Sequence, residues 1–541
     1  MSADTYNCDH ELFKLEDLED RTPTYAKVKD LDLVVIRYND DQVSVFYGRC
    51  LHRGALLSDG YLEGDNLICG LHYWDYRIDT GVSEYNNEEA LHHFKSTIDA
   101  GKVYVSLQEV EDYLKENPQP FDREAYLGLY ADTNPQPTEP HNATIQSLAK
   151  NGLNAKHGPA EAMGVERDQL PKWEAIQFLP AQLARRPLMD DAEVETTTVI
   201  GKKAKKPLTL SMPLFVTDMS FGALSKEAKI ALSKGAEMAG TGICSGEGGM
   251  LKEEQENNSH YFYEMAAAKF GFSWEKVKQA QAFHFKAGQG AKTGVGGHLP
   301  ANKVNQEIAD VRDISVGEDA ISPPAFPDLK TAADFKAFAE KVREVSGGIP
   351  VGFKMSAAHI EKDMDFALEV GVDYIILDGR GGGTGAAPTI IRNNINIPTI
   401  PALARARQYL DSKGADHVSL IITGGLRVAE DFAKALMLGA DAIAIGNSAI
   451  QAIGCLGMRA CNTNFCPVGI ATQKENLRAR LQINKSAEQL ANFFNASNQL
   501  LKVISRACGY DQLSAFKADD LTTFNREMHH LTGIAYGGTN L

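Results

Sequence analysis

The 541-residue chain has no run of about 18 consecutive apolar residues, so a membrane span is not expected. Its first residues, MSADTYNCDHELFKLEDLED, lack the apolar stretch of a secretion signal, and a cytoplasmic protein is expected. Basic charge is also short. With 55 Lys and Arg against 71 Asp and Glu, the net charge is −16, which argues against a sequence-independent grip on nucleic acid. The one basic run, GKKAKKP at 201–207, reads as a solvated hairpin tip. No G-x-G-x-x-G opens the first βα turn, which counts against an open dinucleotide-binding sheet. Cysteine is limited to eight residues and unevenly spread, with Cys50 and Cys69 in one motif and Cys455, Cys461 and Cys466 close together near the end. That clustering favours bound metal in a reducing compartment over a disulfide framework.

What is present has the composition of a globular enzyme, 43% hydrophobic and 23% charged. Residues 1–108 read as short strands, among them LDLVVIRYND, QVSVFYGR and KVYVSL. Residues 109–169, with ENPQPFD and DTNPQPTEPHN, read as a linker with short helices. From 170 to 480, apolar strand runs alternate with helical periodicity. The strand candidates are PLFVTD, AFHFKA, PVGFKM, DYIILDG, VSLIITGG and DAIAIGN. Repeated βα units of this length predict a parallel α/β domain, with a closed (β/α)₈ barrel preferred. Residues 481–541 read as a helix and a polar tail.

Cys50 and His52 in CLHRGALL face Cys69 and His72 in CGLHYWDY, one thiol and one imidazole in each turn. Two Cys and two His also suit tetrahedral zinc, but zinc knuckles usually pair like with like. A Rieske [2Fe–2S] centre needs the mixture, because one iron takes two thiolates and the other two imidazoles. The segment from about 8 to 108 resembles Rieske ferredoxins and the Rieske domains of ring-hydroxylating oxygenases. It departs from the oxygenases at Gly70 and Leu71, where a Pro-Tyr pair is usual.

GCLGMRACNTNFCPVGIATQ (454–473) spaces Cys455, Cys461 and Cys466 as C-x5-C-x4-C. Three thiolates without a near fourth suit a [3Fe–4S] cluster, and the alternative is three core cysteines. The segment resembles the cluster loop of the FMN-binding synthase domain of glutamate synthase, and the resemblance extends over about 170–480. It runs through MSFGALSKEA, SGEGGM, KAGQGAKTGVGGHLPANKV and DGRGGGTGAAP.

The resemblance implies FMN, with Ser220, Ser245 and Gln289 near its ring system and Gly383 in the glycine-rich stretch. Independently, Gly424 and Gly425 in ITGGLR, and Gly446 and Asn447 in AIGNS, fall where barrels of this kind hold phosphate. Lys354 ends a strand, where its ammonium would meet negative charge on a reduced flavin. The resemblance also implies that Lys292 and Arg312 bind the carboxylates of a 2-oxoglutarate-like substrate, with Glu247 in the same pocket. Thr293 and Val295 replace the usual Pro and Glu, and Arg380 is an additional cation, so a more positive pocket is expected. Cys244 reads as a packing residue, and the His pairs at 92–93 and 529–530 as surface residues.

The expectation is therefore a small all-β Rieske domain followed by an FMN-binding (β/α)₈ barrel. It passes electrons between a Rieske cluster, a [3Fe–4S] cluster and FMN to reduce the imine of a 2-oxo acid to an amino acid. The alternatives are an amine or amino-acid dehydrogenase working oxidatively, and an electron-transfer subunit of a larger complex. No N-terminal nucleophilic cysteine or C-terminal β-helix of the resembled family is read, so ammonia or an amine is expected from outside. A 2-His-1-carboxylate iron site, which an oxygenase needs, is not found downstream. The expected partners are a small anionic substrate, an external ferredoxin or reductase and further copies of the chain.

Overall fold

The computed structural model describes residues 6–39, 41–52, 54–71, 73–117, 141–153 and 157–539, and the chain divides into two compact units, Met1–Asn154 and Ala155–Leu541. His72 and the Pro-rich stretch at 118–140 lie outside the described residues.

The first unit is built from short antiparallel strands. Four of them, Thr24–Val28, Leu31–Tyr38, Gln42–Tyr47 and His93–Phe94, pair in that order. His10–Lys14, Lys102–Val105 and Ser96–Asp99 make a second sheet, and Tyr61–Glu63, Asn66–Ile68 and Asp75–Arg77 a third. The core joins Leu33, Val35, Phe46, Phe94 and Val103 to Cys50 and Cys69. Helix Leu107–Glu116 follows, its first turn held by the Ser106 hydroxyl accepting from the Glu109 N–H.

The second unit contains the expected closed barrel. Its eight parallel strands are Leu214–Val216, Ile243–Cys244, Tyr261–Met265, Ala282–Lys286, Val351–Ser356, Tyr374–Asp378, Ser419–Thr423 and Ala442–Ile445. Six of these fall on strand runs named from the sequence. The second and third do not. Ile243–Cys244 is two residues long between glycine-rich turns, and Tyr261–Met265 is buried throughout, so neither shows an alternating pattern.

The lower interior of the barrel is apolar. Phe215 stacks on Phe262 with ring centroids 4.5 Å apart, and Tyr374, Ile376, Ile421 and Ala444 fill the same layer. Ile200, Leu208 and Leu210 join that cluster from the hairpin of strands Thr198–Ile200 and Leu208–Leu210, so the basic run 201–207 is a hairpin tip over a plugged barrel floor. Later in the chain, helix Ile483–Ala507 packs along helix Lys226–Met238, which follows the first strand. Beyond that helix, Leu521–Thr523 pairs with both Gln177–Phe178 and Ala535–Tyr536, so this region adds a small sheet where a polar tail was expected.

Gly235 permits the approach of those two helices, because a Cβ there would lie 2.7 Å from the Ala487 carbonyl oxygen and 2.8 Å from Leu490 Cβ. Gly235→Val is expected to force the helices apart and destabilise the unit by about 1–3 kcal/mol. A thermal melt in which the variant unfolds with the wild type would show that the contact is not tight.

Candidate redox and active site

The two loops of the first unit have the same backbone plan. Cys50 N–H donates to the Ala55 carbonyl at 2.9 Å, and Gly54 N–H donates back to the Cys50 carbonyl at 2.7 Å. Nineteen residues on, Cys69 N–H donates to the Trp74 carbonyl at 2.8 Å and Tyr73 N–H to the Cys69 carbonyl at 3.0 Å. The fourth residue after each cysteine is left-handed, Gly54 at φ 73° and Tyr73 at φ 61°. Both thiols are buried, and the hydrogen bond between them together with burial pushes the Cys50 thiol far up. The Tyr76 hydroxyl lies 3.4 Å from Cys50 Sγ and accepts from Leu51 N–H at 2.9 Å. His52 stacks on Trp74 with centroids 4.7 Å apart. Two adjoining buried thiols and an imidazole on a mirrored turn fit a cluster held from two loops.

In the second unit the barrel interior changes character toward the C-terminal strand ends. Above the apolar layer, Glu264, His284, Lys286, Lys354 and Asp378 point inward, joined by Asp218 just past the first strand. Lys354 donates to Asp218 Oδ2 at 2.6 Å, and His284 Nε2 lies 2.8 Å from Asp218 Oδ1. Burial resists charge here, but Lys354 and then His284 outweigh it and hold the Asp218 carboxyl well below its usual range. Burial likewise works against the His284 imidazolium, yet Asp218 and Glu264 raise it to about 9. Glu264 is pushed up by burial and by Asp218, and Asp378 by burial.

The chain of contacts continues into a pocket of cations. Lys286 donates to Glu247 Oε2 at 2.9 Å. Burial alone would raise the Glu247 carboxyl, but Lys286, Arg312 and Lys292 together hold it at about 2. Burial lowers the Lys292 ammonium and brings Arg312 down to about 10, each partly offset by Glu247. Arg312 donates through Nη2 to the Phe221 carbonyl at 2.7 Å and lies over the Phe270 ring, while its buried Nε has no partner within the protein. Lys286, Lys292 and Arg312 thus gather around Glu247, and Lys286 also lies 3.8 Å from Glu264.

The three-cysteine loop is stapled to this end of the barrel. Ser225 N–H donates to the Ile470 carbonyl at 2.8 Å and its hydroxyl to Gly469 at 2.7 Å. Gln473 Nε2 donates to the carbonyls of Gly222 and Leu224 at 3.0 and 3.1 Å. From the segment carrying Lys292, Lys303 donates to the Cys461 carbonyl at 2.8 Å, and its charge acts on the Cys461 and Cys466 thiols. The three thiols are close enough that each of Cys455 and Cys466 adds to the upward push that burial gives Cys461, to about 11. Three neighbouring thiols with a lysine alongside suit an anionic cluster.

The glycine loops named from the sequence converge. Gly424 and Gly425 have φ of 117° and 97°, and a Cβ on Gly381 would lie 2.4 Å from the Gly424 carbonyl oxygen. A Cβ on Gly383 would sit 3.5 Å from the Asn447 amide, and one on Gly446 3.0 Å from Thr217. The ends of strands six, seven and eight thus bring their glycine loops together, an arrangement that fits a phosphate-bearing group. Ser220 adjoins Gly246, and the Ser245 hydroxyl accepts from Glu264 N–H and donates to the Gly246 carbonyl, both at 3.0 Å. Gln289 pairs through its backbone with Lys292.

Arg380, expected to add charge to the pocket, has its guanidinium fixed on the carbonyls of Ile395 and Asn393 at 2.9 and 2.6 Å. Asp218, Glu264, His284 and Lys286 were not singled out from the sequence. The signal for two of them was present, since AFHFKA places His284 and Lys286 two residues apart on one strand face.

A barrel with a charged inner layer at its mouth, a three-thiol loop stapled there and a separate unit with paired cysteine loops define an iron–sulfur oxidoreductase. The chain belongs to the glutamate synthase family: residues 160–511 match the conserved region in glutamate synthase, and residues 9–95 match the Rieske [2Fe-2S] domain. A glutamate synthase large subunit-like protein of Rhizobium meliloti is 33% identical over 418 residues, covering 74% of this chain and 93% of the relative. An archaeal-type glutamate synthase [NADPH] of Thermotoga maritima is 36% identical over 397 residues, covering 69% and 77%. An archaeal glutamate synthase [NADPH] of Methanocaldococcus jannaschii is 34% identical, covering 63% and 69%. Among the described residues, no helix is long and apolar enough to cross a membrane.

The mirrored loops give a direct test. Gly54→Val places a branched side chain at a left-handed position and is expected to cost about 1–2 kcal/mol, with loss of iron from the first unit. Tyr73→Gly relieves the equivalent position and is expected to keep both iron and melting temperature. Equal behaviour of the two variants in iron analysis and thermal melts would show that the turns do not depend on that geometry.

Proposed function

We propose that the chain is a flavoprotein that reduces the imine of a 2-oxo acid, 2-oxoglutarate-like in charge, to an amino acid. Its resident redox groups in this reading are a Rieske cluster at Cys50, His52, Cys69 and His72, a [3Fe–4S] cluster at Cys455, Cys461 and Cys466, and FMN. When bound, these groups would supply one-electron carriage and hydride transfer. The cradle of Gly383, Gly424, Gly425, Gly446 and Asn447 would hold the FMN phosphate.

One observation carries the substrate reading. Lys286, Lys292 and Arg312 surround Glu247, and Lys292 and Arg312, which have no other carboxylate acting on them, match a dicarboxylate in a partly dry pocket. Arg312, with its unpartnered Nε, offers the planar fork that a carboxylate takes, and Lys292 a second point charge. Lys354, fixed by Asp218, would hold positive charge where a reduced flavin is negative. The names of two relatives, glutamate synthases of Thermotoga maritima and Methanocaldococcus jannaschii, support the same direction. Nitrogen enters in this reading as free ammonia or an amine, and electrons come from an external ferredoxin or reductase.

The Rieske domain favours a second reading. Rieske potentials of roughly −150 to +300 mV lie well above the about −400 mV of plant-type ferredoxins, which makes such a centre a ready acceptor. An amine or amino-acid dehydrogenase that sends electrons out through it uses the same pocket in reverse.

Anaerobic titration separates the two. Reoxidation of the reduced holoprotein by 2-oxoglutarate with ammonia supports synthesis, whereas flavin bleaching by an amine supports oxidation. Lys292→Met and Arg312→Met are each expected to weaken 2-oxoglutarate binding about 10- to 100-fold, since each removes a charged hydrogen bond. Affinity is also expected to fall as pH rises toward 10, because burial lowers both cations and their charge is lost on the alkaline side. Calorimetry showing unchanged affinity in both variants would remove the substrate assignment.

A further inference from the structure

We propose that Asp218, Cys244, Glu264 and His284 form a structural site for a divalent, zinc-type ion inside the barrel. The inference rests on barrel geometry and is independent of the redox reading. Among the described residues, these four are the one group of Cys, His, Asp and Glu side chains whose donor atoms all lie within 4.8 Å of one another. They come from the first four strands in succession: Cys244, Glu264 and His284 from within the second, third and fourth, and Asp218 from just past the first. All four side chains are withdrawn from solvent.

The donor set and its spacing fit such an ion. His284 Nε2 lies 2.8 Å from Asp218 Oδ1, 3.4 Å from Glu264 Oε2 and 3.8 Å from Cys244 Sγ, and the Cys244 thiol contacts Asp218 Oδ1. Tetrahedral zinc with ordinary bond lengths sets its ligands about 3.3–3.8 Å apart, so small side-chain shifts suffice. A single proton on Nε2 serves two carboxylate oxygens poorly, whereas an ion serves all four ligand atoms. Glu264 Oε1 is a second indication: it is buried and has no hydrogen-bond donor, its nearest cation being Lys286 at 3.8 Å.

The surroundings complete the coordination. Tyr374 OH lies 3.0 Å from His284 Nδ1, and accepting the Nδ1–H leaves the Nε2 lone pair free for an ion. Lys354 holds the other oxygen of Asp218 at 2.6 Å. Two carboxylates, a thiolate and a neutral imidazole around a divalent ion leave one negative charge, which the Lys354 ammonium balances. Binding releases the Cys244 thiol proton and any proton on Nε2. With four protein ligands the site is closed, so the ion would fix the charged layer and take no part in hydrolysis.

The test is metal analysis and zinc-edge X-ray absorption on holoprotein produced with zinc supplied and iron centres intact. One zinc per chain beyond the iron is expected, with one sulfur at about 2.3 Å and three lighter ligands at about 2.0–2.2 Å. Cys244→Ser and His284→Gln should each bring zinc to background while iron content stays at the wild-type level. If either variant fails to fold, the wild-type absorption spectrum decides alone. Zinc-free wild type, or zinc with three sulfur ligands, which would place it on the Cys455 loop, overturns the assignment.

Discussion

Asp218 and Lys354 meet at 2.6 Å with both side chains out of water, and the charged layer of the barrel is arranged around that pair. A buried ion pair gains little over an apolar one, but removing one partner typically costs about 3–5 kcal/mol because the other is left charged and dry. The pair therefore constrains its neighbours. His284 is held in place by the free oxygen of Asp218 and by Tyr374, Glu264 reaches His284, and Lys286 passes the pattern on to Glu247. A barrel mouth wired in this way presents fixed charges to whatever binds there, with no reorganisation needed at the moment of binding.

The fold was legible in the sequence wherever burial left a pattern. VGFKM and SLIIT read as strands because they are apolar runs bounded by turn residues, and the glycines after strands seven and eight marked the cradle. Ile243–Cys244 was invisible because two residues carry no period. The motif cysteines stood out because they lie close together in the sequence, and the structure brings each group together. The charged layer did not. Asp218 and Lys354 are 136 residues apart, and only barrel closure makes a lone strand lysine into one half of a pair. The anchoring of Arg380 was equally hidden, since its backbone partners at 393 and 395 follow from the fold of the loop and not from any motif.

The two units solve the problem of buried polarity in different ways. In the first, the mirrored turns bring Cys50 and Cys69 together, and Arg49 pairs with Asp32 at 2.6 Å with both side chains nearly buried. In the second, apolar and charged residues are stacked in layers, and the hairpin Thr198–Leu210 closes the apolar end. Traffic of water and small molecules into the barrel is therefore confined to the mouth where the charges stand.

The packing of helix Ile483–Ala507 on helix Lys226–Met238, together with the pairing of strand Leu214–Val216 on Ala442–Ile445, bears on how the chain is made. During synthesis the first barrel strand emerges more than two hundred residues before its last neighbour. Until then the nascent domain is an open sheet with two bare edges, the state in which strands are most prone to pair with the wrong chain. The three-cysteine loop lies between the last strand and the closing helix, so its thiols leave the ribosome before the ring is locked. Whatever those thiols bind must therefore reach them either on the open chain or after the ring has closed.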